Sequence, residues 1–416
     1  MEKVRLKEIV ISQQTLQYKE ILIDREISKN LDSYIKTPFI IIISGIRRTG
    51  KSTLLYQIKQ KYPGYYLNFD DERLVEFKLE DFQMLDEIFL EVYGEKKYYY
   101  FDEMQNISGW ERFVRRIHDE GKKVFITGSN ASMLSRELGT HLTGRYLAIT
   151  LYPFSFKEFL DFKNIKFENN DFYLTAGKIK LKKYFEEYLI TGGFPEYLKT
   201  KNTEYLKTLY ENILYRDIIV RYKLTNEKAL KELVYIAANN ISNDISFNSI
   251  KKTLQLGSST TVKDYFDFFE NSYLIFLINK FYFSLKKQTY SSKKLYIIDT
   301  ALAINLGFRI SKDIGRLLEN LIFIELRRRR KEIYYYSDKR ECDFVIKNGT
   351  KITEVFQSCY ELNEDNKKRE IEGLLEAMTK FRLKEGIILT LDQKEDIIMD
   401  KKKIKIIPVW EYLLSK

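Results

Sequence analysis

Cysteine is nearly absent from this chain: its 416 residues contain only Cys342 and Cys359. A secreted disulfide scaffold is excluded, and a reducing compartment, the cytoplasm, is the expected setting. Both cysteines sit in strand-like segments, where a thiol acts as a small buried side chain. Histidine is as scarce, at 2 residues, and no Cys/His spacing suits zinc. With 5 prolines and 18 glycines there is no flexible tether, so the domains are expected to abut through helices. The longest apolar runs, "FIIIISGI" and "YLIFLINKFYF", are too short to span a bilayer, and no membrane partner is expected. The charged start "MEKVRLKEIVISQQ" lacks the apolar stretch of a signal peptide.

What is present is a folding composition. Hydrophobic residues make up 44% and charged residues 31%, which suits a folded rather than a disordered chain. The length predicts roughly two to three domains. The net charge of +11 fits an acidic partner such as nucleic acid, and fits a lysine-rich proteome equally well.

"GIRRTGKS", Gly45 to Ser52, has the spacing of a phosphate-binding loop. The β-branched run "FIIII" before it suits a buried parallel strand, and "KSTLLYQIKQK" after it has helical spacing. Strand, glycine loop and helix aim backbone N–H groups at an anion. Gly45 and Gly50 supply close backbone approach, Lys51 would neutralise β- and γ-phosphates, and Ser52 would ligate Mg²⁺. Gly45, Arg48, Thr49, Gly50, Lys51, Ser52 and Thr53 are the candidate nucleotide-binding residues, with ATP and Mg²⁺ the expected cofactors.

Hydrolysis needs a carboxylate at the end of a second strand, and "KKYYYFDEMQNI" supplies it. Asp102 would hold Mg²⁺ and Glu103 would polarise the attacking water. A third strand, "KKVFITGSN", ends in Ser129 and Asn130; Asn130 is favoured to orient that water. Arg145 precedes a further strand, "YLAITL", and could reach a γ-phosphate in its own chain or a neighbour's. Asp70, Asp71 and Glu72, in "YYLNFDDERL", read as a solvated turn.

"SGIRRTGKSTLL", "YYYFDEMQNISGWERFVRRIHDEG", "FITGSNASMLSRELGTHLTGRYLAITLYPFSFKEF", "YLITGGFPEYL" and "LYRDIIVRYKL" together resemble the archaeal and bacterial AAA-type P-loop ATPases that end in a nuclease-like domain. The likeness weakens through "GRLLENLIFIELRRRR" and "ECDFVI". It implies an α/β fold: a parallel-sheet P-loop domain over residues 1–155, a helical lid over 156–225, a winged helix over 226–298 and a restriction-nuclease-like domain over 299–416. It supports Asp102, Glu103 and Asn130 as metal, water-activating and sensor residues, and Arg145 as an arginine finger or sensor. Expected partners are ATP, DNA through the winged helix or basic segments, and further copies of the chain.

Residues 245–278 read as helix, short turn at Gly257 and helix, with Thr260 or Thr261 as the cap. The following "YLIFLINKFYFSLKKQTYSSKKLYIID" alternates like a hairpin, the wing. Lys286, Lys287, Lys293 and Lys294 would touch phosphates if the module binds DNA. The second helix, however, offers Lys263 against Asp264, Asp267 and Glu270, a poor face for DNA, so packing on the ATPase is favoured.

From Asp313 onward the order of helix, strands, helix and strand resembles the PD-(D/E)xK nuclease core. Asp343 can be its first acid and Glu319 or Glu325 a helix acid; alternatively Asp343 pairs with Arg340. The lysine is missing: after Glu354 its position is Phe356, and after Gln357 it is Cys359. A nuclease-derived but inactive domain is expected. "RRRRK", residues 327–331, either complements its helix dipole or binds phosphate.

Overall fold

The computed structural model describes residues 1–15, 22–130, 142–307 and 310–415. The segment 131–141, part of the likeness quoted above, lies outside the described residues. The chain divides into two compact units: Met1–Tyr152 with Asn271–Tyr273, and Pro153–Glu270 with Leu274–Lys416.

The first unit contains α1 (Lys3–Gln14), α2 (Leu31–Lys36), β1 (Ile40–Ser44), α3 (Lys51–Lys61), β2 (Tyr65–Asn68), α4 (Asp81–Tyr93), β3 (Tyr98–Asp102), α5 (Trp110–Asp119), β4 (Lys123–Gly128) and β5 (Tyr146–Thr150). Its strands form one parallel sheet in the order β2-β3-β4-β1-β5. All five residues of β1 are buried, as a strand covered on both faces requires. On one face Leu54, Leu55 and Ile58 of α3 pack with Ile41, Ile43, Tyr100 and Phe125. The opposite face is aromatic, with Phe82 of α4 stacked on Phe113 of α5 at 4.3 Å between ring centroids. Crossovers between parallel neighbours put every strand's C-terminal end on one edge, where ligands bind in such sheets.

The second unit opens with α6 (Phe156–Phe162), started by a reciprocal cap. Ser155 Oγ accepts from Glu158 N–H at 3.1 Å, and Glu158 Oε2 accepts from Ser155 N–H at 2.9 Å. Then come α7 (Thr175–Thr191), α8 (Pro195–Thr200), α9 (Thr203–Asn212), a π-helical stretch Ile213–Val220, and α10 (Glu227–Asn239). The next elements are β6 (Asp244–Ile245), α11 (Phe247–Thr253), α12 (Ser259–Asn271), β7 (Ile275–Asn279), α13 (Leu285–Tyr290) and β8 (Lys293–Ile297). Strands β6, β8 and β7 form an antiparallel sheet in that order. The hairpin is therefore present, but a short helix fills the connection expected to be a loop tip. Ser258, rather than a threonine, caps α12: its Oγ accepts from Thr260 N–H at 3.0 Å.

The chain ends with α14 (Thr300–Asn305), α15 (Ile310–Arg328), β9 (Glu332–Ser337), β10 (Glu341–Asn348), β11 (Lys351–Ser358), α16 (Lys367–Phe381), β12 (Glu385–Thr390), β13 (Glu395–Met399), β14 (Lys402–Pro408) and α17 (Val409–Leu414). Six strands form a mixed sheet in the order β13-β14-β12-β11-β10-β9. Cys342 and Cys359 are both buried, as small core side chains. Among the described residues no helix is long and apolar enough to cross a membrane.

Candidate active site

Gly45 leaves β1 with φ 146°, and a Cβ there would lie 2.2 Å from the Leu151 carbonyl oxygen. Gly50, at φ 89°, is the N-terminal boundary of α3, a conformation costly for residues with a Cβ. It brings no side chain to cap the first turn, so the N–H groups of that turn face whatever anion the loop holds. Thr49 Oγ1 donates to Ile46 O at 3.0 Å and closes the loop on itself. Arg48 is exposed at φ 64°. Lys51 is buried, its Nζ 3.0 Å from Gly45 O and 3.1 Å from Ile46 O.

The neighbouring strand ends bring the carboxylates. Register pairs Phe101 of β3 with Ile126 of β4, so Asp102 and Thr127 follow side by side. Thr127 Oγ1 donates to Asp102 Oδ1, Tyr66 OH donates to Oδ2 at 3.2 Å, and Ser52 also hydrogen-bonds this carboxylate. Burial, then the charge of Glu103, raises the Asp102 pKa. Glu103 stands at φ 51°, a left-handed conformation unusual outside glycine. Its N–H is held by Thr127 Oγ1 at 3.0 Å, and its Oε1 is 4.0 Å from Lys51 Nζ. Ser129 and Asn130, just past the end of β4, are both buried. Since β4 lies between β3 and β1, they stand between the loop and the carboxylates.

Arg145 does not join this cluster. Its carbonyl accepts from Ile40 N–H at 2.8 Å, and its Nε lies 3.4 Å from Asp119 Oδ1. That is the edge where β1 begins, whereas the loop follows Ser44, about 13 Å away at the usual strand rise. An arginine finger acting within its own chain is not what this placement offers. Asp71 also differs from the solvated turn expected. It accepts from Gln13 Nε2 at 2.8 Å and pairs with Arg73, which holds its carboxyl down at about 2.

Three residues at the site carried no motif. Arg25 is buried and donates to Thr49 O at 2.7 Å and Tyr152 O at 2.6 Å, tying the loop to the end of β5. Gln105 Nε2 donates to Glu103 Oε2 at 2.5 Å and reaches Ser129 Oγ at 3.4 Å, while its Oε1 is buried without a partner. Tyr273 OH donates to Ser44 Oγ at 2.8 Å. Each is a lone polar residue in unpatterned sequence; only contact in three dimensions reveals it.

The donor set fits ATP with Mg²⁺. A hydroxyl and a carboxylate in mutual contact are the hard oxygen ligands Mg²⁺ takes alongside phosphate oxygens. The partnerless Gln105 Oε1 is an acceptor ready for a water.

The family match over the first unit agrees with this geometry. Residues 37–160 match the family described as "AAA domain", and residues 182–313 match "Domain of unknown function (DUF8612)". The uncharacterized protein MJ1544 of Methanocaldococcus jannaschii is 38% identical over all of this chain and 96% of its own length. An uncharacterized protein of Haemophilus influenzae is 30% identical, covering 93% of this chain and 97% of its own. The chain belongs to this family of AAA-type P-loop proteins. Among solved structures, AMPPCP-bound DnaA from Aquifex aeolicus aligns with 59% of this chain and 85% of its own, at 19% identity and TM-score 0.26. Aeropyrum pernix ORC1 in complex with DNA covers 70% and 94%, at 11% identity and TM-score 0.31.

The second unit corrects several sequence expectations. Glu270 is not on an exposed face with Lys263, Asp264 and Asp267: it accepts from Leu277 N–H at 3.0 Å, and burial raises its pKa. Lys286 and Lys287 are exposed on α13. Lys293 instead donates to Asn279, and Lys294 is buried among Glu319, Glu341 and Asp343. Asp343 thus pairs with Lys294, while Arg340 pairs with Glu372 at 3.2 Å. Glu319 joins Asp343; Glu325 pairs with Arg328 and Arg329. Gln357 Oε1 accepts from Asp343 N–H at 3.2 Å, so strand alternation turns Glu354 and Phe356 to the other face. In "RRRRK", Arg328 donates to Pro153 O, Arg329 to Tyr412 O, and Lys331 pairs with Glu354. These groups have protein partners rather than forming an open phosphate patch.

Proposed function

We propose that the protein binds and hydrolyses ATP with Mg²⁺. The observation that carries this is the meeting of Ser52, Asp102 and Glu103 beside Lys51 at one edge of a parallel sheet. The loop N–H groups and Lys51 bind the triphosphate, releasing Lys51 from the Gly45 and Ile46 carbonyls. Ser52 and Asp102 would hold Mg²⁺, which when bound supplies positive charge to the phosphate oxygens. Glu103 accepts hydrogen bonding from the attacking water and draws off its proton as the water oxygen bonds the γ-phosphorus and the bond to ADP breaks. Gln105 fixes the Glu103 carboxylate, and Asn130 orients the water. Arg145, remote from its own site, serves a neighbouring copy in a homo-oligomer. Steady-state ATP hydrolysis by the wild type, Lys51→Ala and Glu103→Gln tests the assignment.

The second unit combines a helical lid, a winged helix and a nuclease-derived, catalytically inactive domain, moved by nucleotide state. The support is connectivity: the chain enters the second unit at Pro153, returns to the first at Asn271–Tyr273 and leaves it again at Leu274. A second function, DNA binding, has one favouring observation. Phe283, Leu285 and Tyr290 are 79%, 77% and 83% exposed around Lys286 and Lys287, a mix of cations and apolar groups that suits nucleic acid. Fluorescence anisotropy with duplex DNA should then show affinity that falls steeply with salt and is lost in Lys286→Ala/Lys287→Ala. Binding unchanged in that variant rejects the role of this segment.

A further inference from the structure

Lys294 should not be where it is if it served the surface. It lies on β8, in the hairpin expected to contact phosphates, yet its side chain is only 3% exposed. Its Nζ is 3.1 Å from Glu319 Oε1 on α15, 2.6 Å from Glu341 Oε1 and 3.0 Å from Asp343 Oδ1, both on β10. All four residues belong to the second unit. The ammonium therefore sits at the meeting point of three carboxylates from two elements.

The surroundings are built around this arrangement. Tyr296 OH donates to Glu319 Oε1 at 2.8 Å, Ser358 N–H donates to Asp343 Oδ2 at 2.8 Å, and the Tyr335 ring lies 5.8 Å from the ammonium. Gln357, which accepts from Asp343 N–H, donates in turn to Glu370 Oε2 at 2.7 Å. Burial disfavours the charged lysine, but the combined charges of Asp343, Glu319, Tyr296 and Glu341 outweigh it and raise its pKa. Three acids and one lysine leave surplus negative charge, and burial with the charge of Asp343 pushes Glu319 up to about 8. The carboxylates that stay ionised need a cation beside them, and the geometry gives them Lys294.

A nuclease-like plan would meet that need with a divalent metal between Asp343 and its helix acid. Here an ammonium from β8, a strand of the three-stranded sheet, stands among these carboxylates, and Gln357 supplies an amide where a further carboxylate would add metal affinity. We infer that Lys294 is a built-in cation that takes the place of a divalent metal between Glu319, Glu341 and Asp343, closing the site and fastening β8 to the C-terminal sheet. The inference rests on the nuclease-derived reading of this domain and is independent of ATP hydrolysis.

The test uses the nucleotide-free full chain, with thermal unfolding followed in EDTA and in Mn²⁺. Wild type is expected to unfold at the same midpoint in both. Lys294→Ala and Lys294→Met, the second keeping the stem volume, should lose roughly 5–10 °C in EDTA and recover most of it in Mn²⁺. Adding Asp343→Asn to either should abolish the recovery. Variants too unstable to purify are refolded from denaturant with Mn²⁺ or EDTA, and must fold only with the metal. Three results overturn the inference: Lys294 variants that Mn²⁺ does not rescue, a wild-type midpoint raised by Mn²⁺ through Asp343, or wild-type DNA cleavage with Mn²⁺ that Lys294→Met abolishes. The last would make the lysine a catalytic group. Loss of ATP hydrolysis in a loop variant bears on none of these.

Discussion

At the residue scale, the phosphate loop and its carboxylates were legible because their chemistry fixes residue type and spacing together. Gly45, Gly50, Lys51 and Ser52 must follow one another in the chain, so a short window shows them. Gln105 shows the converse. Its hold on Glu103 arises from the turn after β3, and a glutamine two residues past a carboxylate carries no periodic signal. If that hold aims the glutamate at water, Gln105→Ala should lower kcat roughly tenfold and leave nucleotide affinity unchanged, in steady-state and binding assays read together. A loss of affinity with kcat intact would instead make Gln105 a binding residue. Lys294 was misassigned for a related reason: a lysine beside a turn in sequence looks solvated, and only the packing of α15 and β10 reveals its three partners.

At the element scale, the strands of the first unit followed from runs such as "FIIII" and "YYYFD", whose composition suits buried parallel strands, and α3 from the helical spacing after the loop, whereas α1, α2, α4 and α5 have no counterpart in the sequence reading. The short helix α13 was missed because "LKKQTY" is brief and polar; six residues give too little periodicity to separate a helix from a loop. Arg145 lies just before β5 as read, and the choice left open between its own site and a neighbour's is narrowed by strand direction, which puts it at the end of the sheet away from its own loop. The corner before α14 offers a test of packing. Asp299 accepts from Gly193 N–H at 2.7 Å and Leu302 N–H at 3.1 Å, and a Cβ on Gly192 would lie 2.2 Å from its Oδ1. Burial pushes the Asp299 carboxyl up to about 6, against its backbone donors. The folded state then holds a proton that the unfolded state has released between about pH 4 and 6. Wild type accordingly loses stability relative to Asp299→Asn as pH rises through that window, by up to ~3 kcal/mol. Urea unfolding of both proteins at pH 4.5 and 7 should show the deficit of the variant shrinking as pH rises; a constant deficit would refute the protonation.

At the scale of the whole molecule, the two units carry different kinds of information. The first carries a loop whose residue types and spacing suit a phosphate, and residues 37–160 match an AAA domain. The second was legible chiefly through resemblance, because its hairpin and mixed sheet obey general packing rules without a spacing that names a ligand. Its β13, β14 and α17 had no counterpart in the sequence reading at all: "EDIIM" and "KKIKIIP" are short, charged and edge-like. The net charge of +11 shows how little a global number decides, since several of the basic residues singled out for phosphate contact have protein partners.

Steady-state phosphate release from Mg²⁺ and ATP, compared across wild type, Lys51→Ala and Glu103→Gln, tests the central claim most directly. Wild type should turn over; Glu103→Gln should retain ATP binding with kcat reduced by roughly 10²–10⁴, and Lys51→Ala should lose both binding and turnover. Equal rates in all three proteins would contradict the assignment of this edge of the sheet as a catalytic nucleotide site.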